Sequence, residues 1–172
     1  MSPYDPNLFA IDPCVIADFH WIGEPDFFAR VLPGRALMSD FAYNQLAESE
    51  IPIGGVQIVT VEEQEFGLLN EIRSDNSGLG LAEVGSIFVA IKARAGLISN
   101  DAIVRRVAEA LGICIWGTLA LLEYAIWAGV LLAMQAVQIA EKMAKSVFSM
   151  SAAEVEKFKK GYFNPVLAQA HS

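Results

Sequence analysis

Positive charge is scarce in this chain. Twelve lysines and arginines stand against 20 aspartates and glutamates, a formal net charge of −8. A protein living on nonspecific phosphate contacts has the opposite balance, so any work on nucleic acid must rest on local basic residues, a metal ion or a partner. Cysteine is scarcer still. Cys14 and Cys114 are the only two, and no CxxC pair or Cys/His cluster points to zinc. Both sit in apolar, strand-like runs and are expected as reduced core residues. The first ten residues hold Pro3, Asp5 and Pro6 but no basic stretch, so no secretory signal is expected and the expected compartment is the cytoplasm. There is no internal repeat and no low-complexity segment.

An uninterrupted membrane-length run is also missing. Residues 111–140 are strongly apolar, but Glu123 cuts them near the middle and Gly112, Gly117 and Gly129 punctuate them. The piece from Tyr124 to Ile139 falls short of the roughly 20 residues that cross a bilayer. A buried helix, or one burying a second face in an oligomer, is expected there rather than a membrane segment. With 54% hydrophobic and 19% charged residues in 172, the composition is that of one core-rich domain.

The chain is organised around residues 83–118, which read helix, strand, helix, strand. The first helix covers Ala82–Lys92 and the strand Gly96–Ser99. The second helix, Ala102–Leu111, carries Arg105 and Arg106 on its polar side and ends at Gly112. Ile113–Trp116 is a short buried strand. Upstream, residues 1–13 read as an irregular lead-in and Cys14–Ala17 as a strand ending at Asp18. Helices follow from Glu24 to Leu32 and from Ser39 or Asp40 to Glu48, with Ala36–Met38 as a strand before the second. Val56–Thr60 is the clearest strand, and the helix after it has Phe66, Leu68, Leu69 and Ile72 on its apolar face. From residue 119 the pattern is helical to a stop at Asn164-Pro165, with a capping box at Ser151 and Glu154. Strands alternating with helices of about ten residues predict parallel strands joined by crossovers. Ligands of such sheets sit beyond the carboxyl ends of the strands.

Asp18, Glu83 and Asp101 each follow a strand end, or begin the helix beside one, in this reading. If they converge, their mutual repulsion, about 4 kcal/mol for two carboxylates at 4 Å, calls for a cation. Hard Mg2+ or Mn2+ fits oxygen ligands, and such an ion activates water and polarises a phosphoryl oxygen. Helix caps and solvated acids give the same spacing, so by itself it leaves both readings open.

Several segments resemble the PIN-domain family. Leu79-Gly-Leu-Ala-Glu-Val-Gly-Ser-Ile-Phe-Val-Ala90 is similar to its glycine-rich turn leading to a helix with a metal-binding glutamate. Leu97-Ile-Ser-Asn-Asp101, then Arg105-Arg-Val-Ala108, Leu111-Gly-Ile113 and Gly117-Thr-Leu119, looks like its strand, spacer and aspartate with the closure that follows. Val15-Ile-Ala-Asp18 resembles its opening strand. The resemblance spans about residues 13–165. It implies a three-layer α/β/α fold with a central, mostly parallel sheet and a helical C-terminal extension over 119–172. It implies an Mg2+- or Mn2+-dependent ribonuclease, of the kind found as the toxin of a toxin–antitoxin pair, with RNA as substrate, an antitoxin protein as partner and a homodimer as assembly. Asp18, Glu83 and Asp101 match the metal-binding acids, and Ser99, beside Asn100, matches the supporting hydroxyl. The helix over 40–48 should carry a further glutamate; Gln45 holds that position, with Glu48 one turn away as a substitute. Phe19, His20 and Trp21 stand where the family has small residues. These departures keep a second reading open, a catalytically degenerate PIN-like binding module. His20 either meets phosphate or is a histidine near a helix start; Trp21 either stacks on a base or is core; Arg105 and Arg106 either contact RNA or form a solvated face.

Overall fold

The computed structural model describes residues 5–146 and 150–163. It divides into two compact units, one up to Thr118 and one from Leu119 onward.

The first unit is built on five strands, all parallel: β1 (Asp5–Ile11), β2 (Ala36–Ser39), β3 (Val56–Val59), β4 (Ala95–Ile98) and β5 (Ile115–Trp116). Their spatial order is β3-β2-β1-β4-β5. The chain thus steps outward from β1 on one side and returns to build the other side from β4. Crossover helices follow from the parallel pairing, because parallel neighbours cannot be joined by a tight turn. They are α1 (Pro13–Trp21), α2 (Phe27–Val31), α3 (Asp40–Glu48), α4 (Phe66–Asp75), α5 (Leu81–Ala93) and α6 (Ala102–Ala110). The architecture is the three-layer α/β/α arrangement expected.

Helix α5 is the keystone of the packing. It lies against β1, β2 and β4, and Val84 through Ala90 are all buried. A helix apolar on almost every side can exist only inside a protein. Gly85 lets it approach the β2–α3 corner, since a Cβ there would collide with the Ser39 hydroxyl. Ser39 is fully buried and caps α3 by accepting from the Ala42 amide at 3.1 Å, so it has nowhere to retreat. Gly85→Ala gains about 1 kcal/mol of helix propensity but incurs overpacking of about 1–3 kcal/mol. The expected result is a net loss of up to about 2 kcal/mol in a urea melt, with an unchanged m-value.

The start of the chain departs from the sequence reading. Residues 5–11, taken as lead-in, form the central strand, and Phe9, Ala10 and Ile11 are wholly buried. Residues 14–17, taken as a strand, lie in helix α1. Asp12 caps that helix through its side chain and Pro13 takes the first turn, the position where a missing N–H costs nothing. The cysteines depart as well. Cys14 and Cys114 are free and exposed rather than core. Trp21 is 66% exposed, so its reading as core is corrected too, while its neighbour Phe19 is the buried one.

The second unit is helical: α7 (Thr118–Trp127), α8 (Ala133–Ser146) and α9 (Ala152–Phe163). Helix α8 packs on α9. The capping box at the start of α9 is present, with the Glu154 carboxylate accepting from the Ser151 amide at 2.8 Å and the Glu154 amide donating to the Ser151 hydroxyl at 3.2 Å. The expected stop at Asn164-Pro165 lies outside the described residues. Among the described residues no helix is long and apolar enough to cross a membrane.

Candidate active site

The site follows from the strand order. Strands β1 and β4 are adjacent, yet their chains leave in opposite directions along the sheet. A crevice opens outside the carboxyl ends of two such strands. The residues that emerge there are Asp12 from β1, and Ser99, Asn100 and Asp101 from β4.

Asp12 is fully buried. One carboxylate oxygen accepts from the Ser99 hydroxyl at 2.5 Å, the other from the Cys14 amide at 3.3 Å. The Ser99 hydroxyl in turn accepts from the Asp101 amide at 3.1 Å. A single buried serine therefore ties the two strand ends together. Asp101 is exposed; one of its oxygens accepts from the Ile103 and Val104 amides at 2.8 and 2.9 Å and caps α6. Glu83 stands in the first turn of α5 and is half-buried. Its carboxylate folds back over Gly80, where a Cβ would lie 2.6 Å from Oε2.

These acids press on one another. Burial raises the pKa of Asp12 to about 6, and the charges of Glu83 and Asp101 push the same way; the bonds from Ser99 and the Cys14 amide only partly oppose them. Although Cys14 as a residue reaches the surface, desolvation of its thiol pushes it up to about 12, and Asp12, Glu83, Asp18 and Asp101 all add to that rise. The charges of four carboxylates thus reach the start of α1. Asp18 is among them, half-buried one turn along α1 from Cys14, but it is not at a strand end. The strand-end place belongs to Asp12, which the sequence reading missed. Its signal was there: the apolar run Leu8–Ile11, then an aspartate, then a proline, the pattern of a strand running into a capped helix.

The remaining candidates are placed as follows. Gln45 and Glu48 are exposed on α3, and the carboxylates bearing on Asp12 are those of Glu83 and Asp101 rather than Glu48. Asn100 faces Thr118, its amide donating to the threonine hydroxyl at 2.7 Å and its carbonyl accepting from the Thr118 amide at 2.9 Å. That exchange ties the end of β4 to Thr118, the last residue of the first unit. Arg105 donates to the Ser99 carbonyl at 3.1 Å, so its guanidinium braces the loop that carries Asp101. Arg106 is exposed. His20 is half-buried, with its ring edge-on to Trp21 at 5.2 Å.

Among the described residues no three histidine, cysteine or acidic side chains already form a cage for a metal ion. The donor chemistry nonetheless fits a hard, hydrated cation. Magnesium keeps several waters and needs only one or two protein carboxylates, the substrate's phosphate supplying more oxygens. A carboxylate raised to about 6 chiefly by its burial, with like charges adding to the rise, is a place where positive charge is wanted.

A family model described as PIN domain matches residues 37–162. No curated protein and no solved structure matches the chain.

Proposed function

This chain belongs to the PIN-domain family, whose fold is of the nuclease type, and we propose that it hydrolyses RNA phosphodiester bonds with Mg2+ or Mn2+. The observation that carries the reading is Asp12 at the carboxyl ends of β1 and β4, held above the usual carboxylate range by its burial, with the charges of Glu83 and Asp101 adding to that rise. In this proposal Asp12 takes the part that the sequence reading gave to Asp18, and Asp18 is an outer acid near Cys14. A bound divalent ion would supply a Lewis acid for the phosphoryl oxygen and a water of lowered pKa.

The protein's own residues do the positioning. Ser99 fixes the rotamer of Asp12 and the backbone of Asp101 at once. Arg105 holds the Ser99 carbonyl and so keeps the β4–α6 loop from opening. In this reading Arg106 and His20 would meet the phosphate backbone of an RNA strand, and exposed Trp21 would offer a face for a base to stack on. The toxin role, with an antitoxin that silences the site and a homodimer as the assembly, belongs to the same proposal and rests on the family resemblance alone.

The test is cleavage of a mixed RNA pool with Mn2+, Mg2+ or EDTA, beside Asp101→Asn. Asparagine still caps α6, so this variant removes charge while leaving the fold. Metal-dependent cutting that disappears in the variant supports the nuclease. No cutting by the folded, partner-free protein with either metal leaves the degenerate binding module as the reading, with Gln45 the residue that marks it.

A quieter variant separates site from fold. Gly80 has an ordinary extended backbone, φ −78° and ψ 174°, so alanine is tolerated there. Its methyl, however, displaces the flexible end of Glu83. For Gly80→Ala we expect stability within about 0.5 kcal/mol of the parent and Mn2+ affinity about 10–100-fold lower, measured by calorimetric titration.

A further inference from the structure

The β4–β5 ladder ends in a fork. The Leu97 amide donates to the Cys114 carbonyl at 2.8 Å and the Ser99 amide to the Trp116 carbonyl at 3.0 Å. The next bond of a parallel ladder would run from the Thr118 amide to the Ser99 carbonyl. Both groups are diverted instead. The Ser99 carbonyl accepts from the Arg105 guanidinium at 3.1 Å, and the Thr118 amide donates to the Asn100 side-chain carbonyl at 2.9 Å. The Asn100 amide closes the exchange on the Thr118 hydroxyl at 2.7 Å. Two side chains thus stand where one backbone bond would have been.

Gly117 makes room for them. A Cβ there would lie 3.1 Å from Arg105 Nη1 and 3.3 Å from Asn100 Oδ1, both closer than an ordinary van der Waals contact. Its backbone is not in the left-handed region, so the glycine supplies space rather than conformational freedom. Thr118 is buried. Removing either partner of the exchange therefore leaves a polar group unmade, away from water.

The fork bears on Asp101. Its Oδ1 is committed to the Ile103 and Val104 amides. Its Oδ2 makes no bond among the described residues, and the side chain is exposed. That oxygen is the one left for a cation, and the backbone over 99–101 decides where it points. On the β1 side this backbone is held by the Ser99 hydroxyl, bonded to Asp12 and to the Asp101 amide. On the β5 side it is held by the Asn100 exchange. The outer partners of a ligating carboxylate fix its orientation and with it the affinity of the site.

We propose that Asn100, seated over Gly117, is a positioning residue that sets the direction in which Asp101 presents Oδ2. The use of that oxygen for Mg2+ or Mn2+ rests on the nuclease reading; the holding of the loop does not.

Two readouts keep these apart. Amide hydrogen exchange at Ile103 and Val104, followed by NMR in the metal-free protein, reports whether Asp101 keeps its seat. Calorimetric titration with Mn2+ reports whether the seat matters to the ion. Asn100→Ala should speed exchange at both amides at least about tenfold, with Ala10 and Ile11 of β1 unchanged. It should weaken Mn2+ binding about 10–100-fold. Thr118→Ser keeps both the hydroxyl and the amide and should stay within about twofold of the parent in either readout. Gly117→Ala keeps every bonding group and only crowds the fork, so it should move both readouts the same way by about threefold. Parent-like exchange at Ile103 and Val104 in Asn100→Ala overturns the proposal. Faster exchange spread equally over β1 does so too, because it marks a general loss of stability. An unchanged Mn2+ affinity in a protein whose loop has loosened is a third refutation. If Asn100→Ala does not fold, Gly117→Ala decides, and parent-like behaviour in both readouts is the failure. A parent that binds no Mn2+ refutes the metal reading by itself, and the exchange rates at Ile103 and Val104 then decide the role of Asn100.

Discussion

Asp12→Asn should make the metal-free protein more stable and the nuclease inactive. The rise of the Asp12 pKa from 3.8 to about 6 is the reason for the first effect. Between those values the folded state keeps a proton that the unfolded chain has released, so stability falls as pH climbs through this window and levels off above it. At 1.36 kcal/mol per unit, the folded carboxylate costs about 3 kcal/mol near neutral pH. Asparagine is close in shape, and its carbonyl and amide can serve the Cys14 amide and the Ser99 hydroxyl. The variant should therefore gain about 2–3 kcal/mol at about pH 7.5 and almost nothing at about pH 4. Paired urea melts at the two pH values check this. The groups facing Asp12 are Glu83, Asp101 and Cys14, and all three remain in the variant, so a changed slope belongs to position 12. A parent protein with a flat profile from pH 4 to 7 would sink the claim that Asp12 is held under strain. Adding Mn2+ should stabilise the parent by about 2.7 kcal/mol at a hundredfold excess over its dissociation constant and leave the variant unmoved. Cleavage should fall at least about a thousandfold, since several kcal/mol of transition-state stabilisation leave with the ion. Opposite signs for stability and activity are the mark of a residue kept for chemistry rather than for folding.

Where local signals agreed with one another, the fold was legible in the sequence. Ser39 before α3, Gly112 after α6 and Ser151 with Glu154 at α9 are caps with a direct physical reading, and the structure has each of them. Helix α5 and strand β4 carried the whole middle of the chain, which is why Glu83 was expected at the start of its helix and Ser99 and Asp101 at the end of their strand, where the structure has them. The error lay where two signals conflicted. Pro6 and the prolines around it argued against a strand, yet a proline near the beginning of a strand is tolerated, and Phe9, Ala10 and Ile11 are wholly buried at the centre of the sheet. Cys14-Val15-Ile16-Ala17 is β-prone by composition, but Pro13 and the Asp12 cap commit it to a helix. Propensity gave way to tertiary context there. Moving the strand six residues upstream moved the first acid with it, from Asp18 to Asp12. The same shift turned Cys14 outward: a helix puts it on an exposed face among four carboxylates, where a strand would have buried it. The exposure of Trp21 has the same origin, because it ends α1 rather than following a strand. Arg105 is a different case. No periodicity distinguishes an arginine that reaches a phosphate from one that reaches a carbonyl at the end of β4, and only the bond to Ser99 does so.

Ser99→Ala is expected to be the most damaging single substitution outside the carboxylates. Ser99 is wholly buried and makes two bonds with one hydroxyl, donating to Asp12 and accepting from the Asp101 amide. Alanine leaves space for neither partner to find water. A buried donor or acceptor left unmade costs about 1–3 kcal/mol, and more where the group is charged. The Asp12 carboxylate is charged at neutral pH, so we expect a loss of about 3–4 kcal/mol near pH 7.5. The pH dependence gives the prediction its discrimination. Ser99 lowers the Asp12 pKa, so without it the folded value climbs above about 6 and the pH window of falling stability lengthens upward. The variant should thus lose less at about pH 5, where Asp12 is protonated in the folded state, and most at about pH 8. A merely steric defect would cost the same at every pH. Combining Ser99→Ala with Asp12→Asn gives the coupling directly: a neutral side chain at position 12 loses less when the hydroxyl disappears, and the double variant should recover at least about 1 kcal/mol relative to additivity. Strict additivity would mean that Ser99 supports the strand ends without addressing the charge of Asp12. Its place in the site would then be that of a spacer rather than of the group that keeps a strained carboxylate ionised and aimed at the crevice.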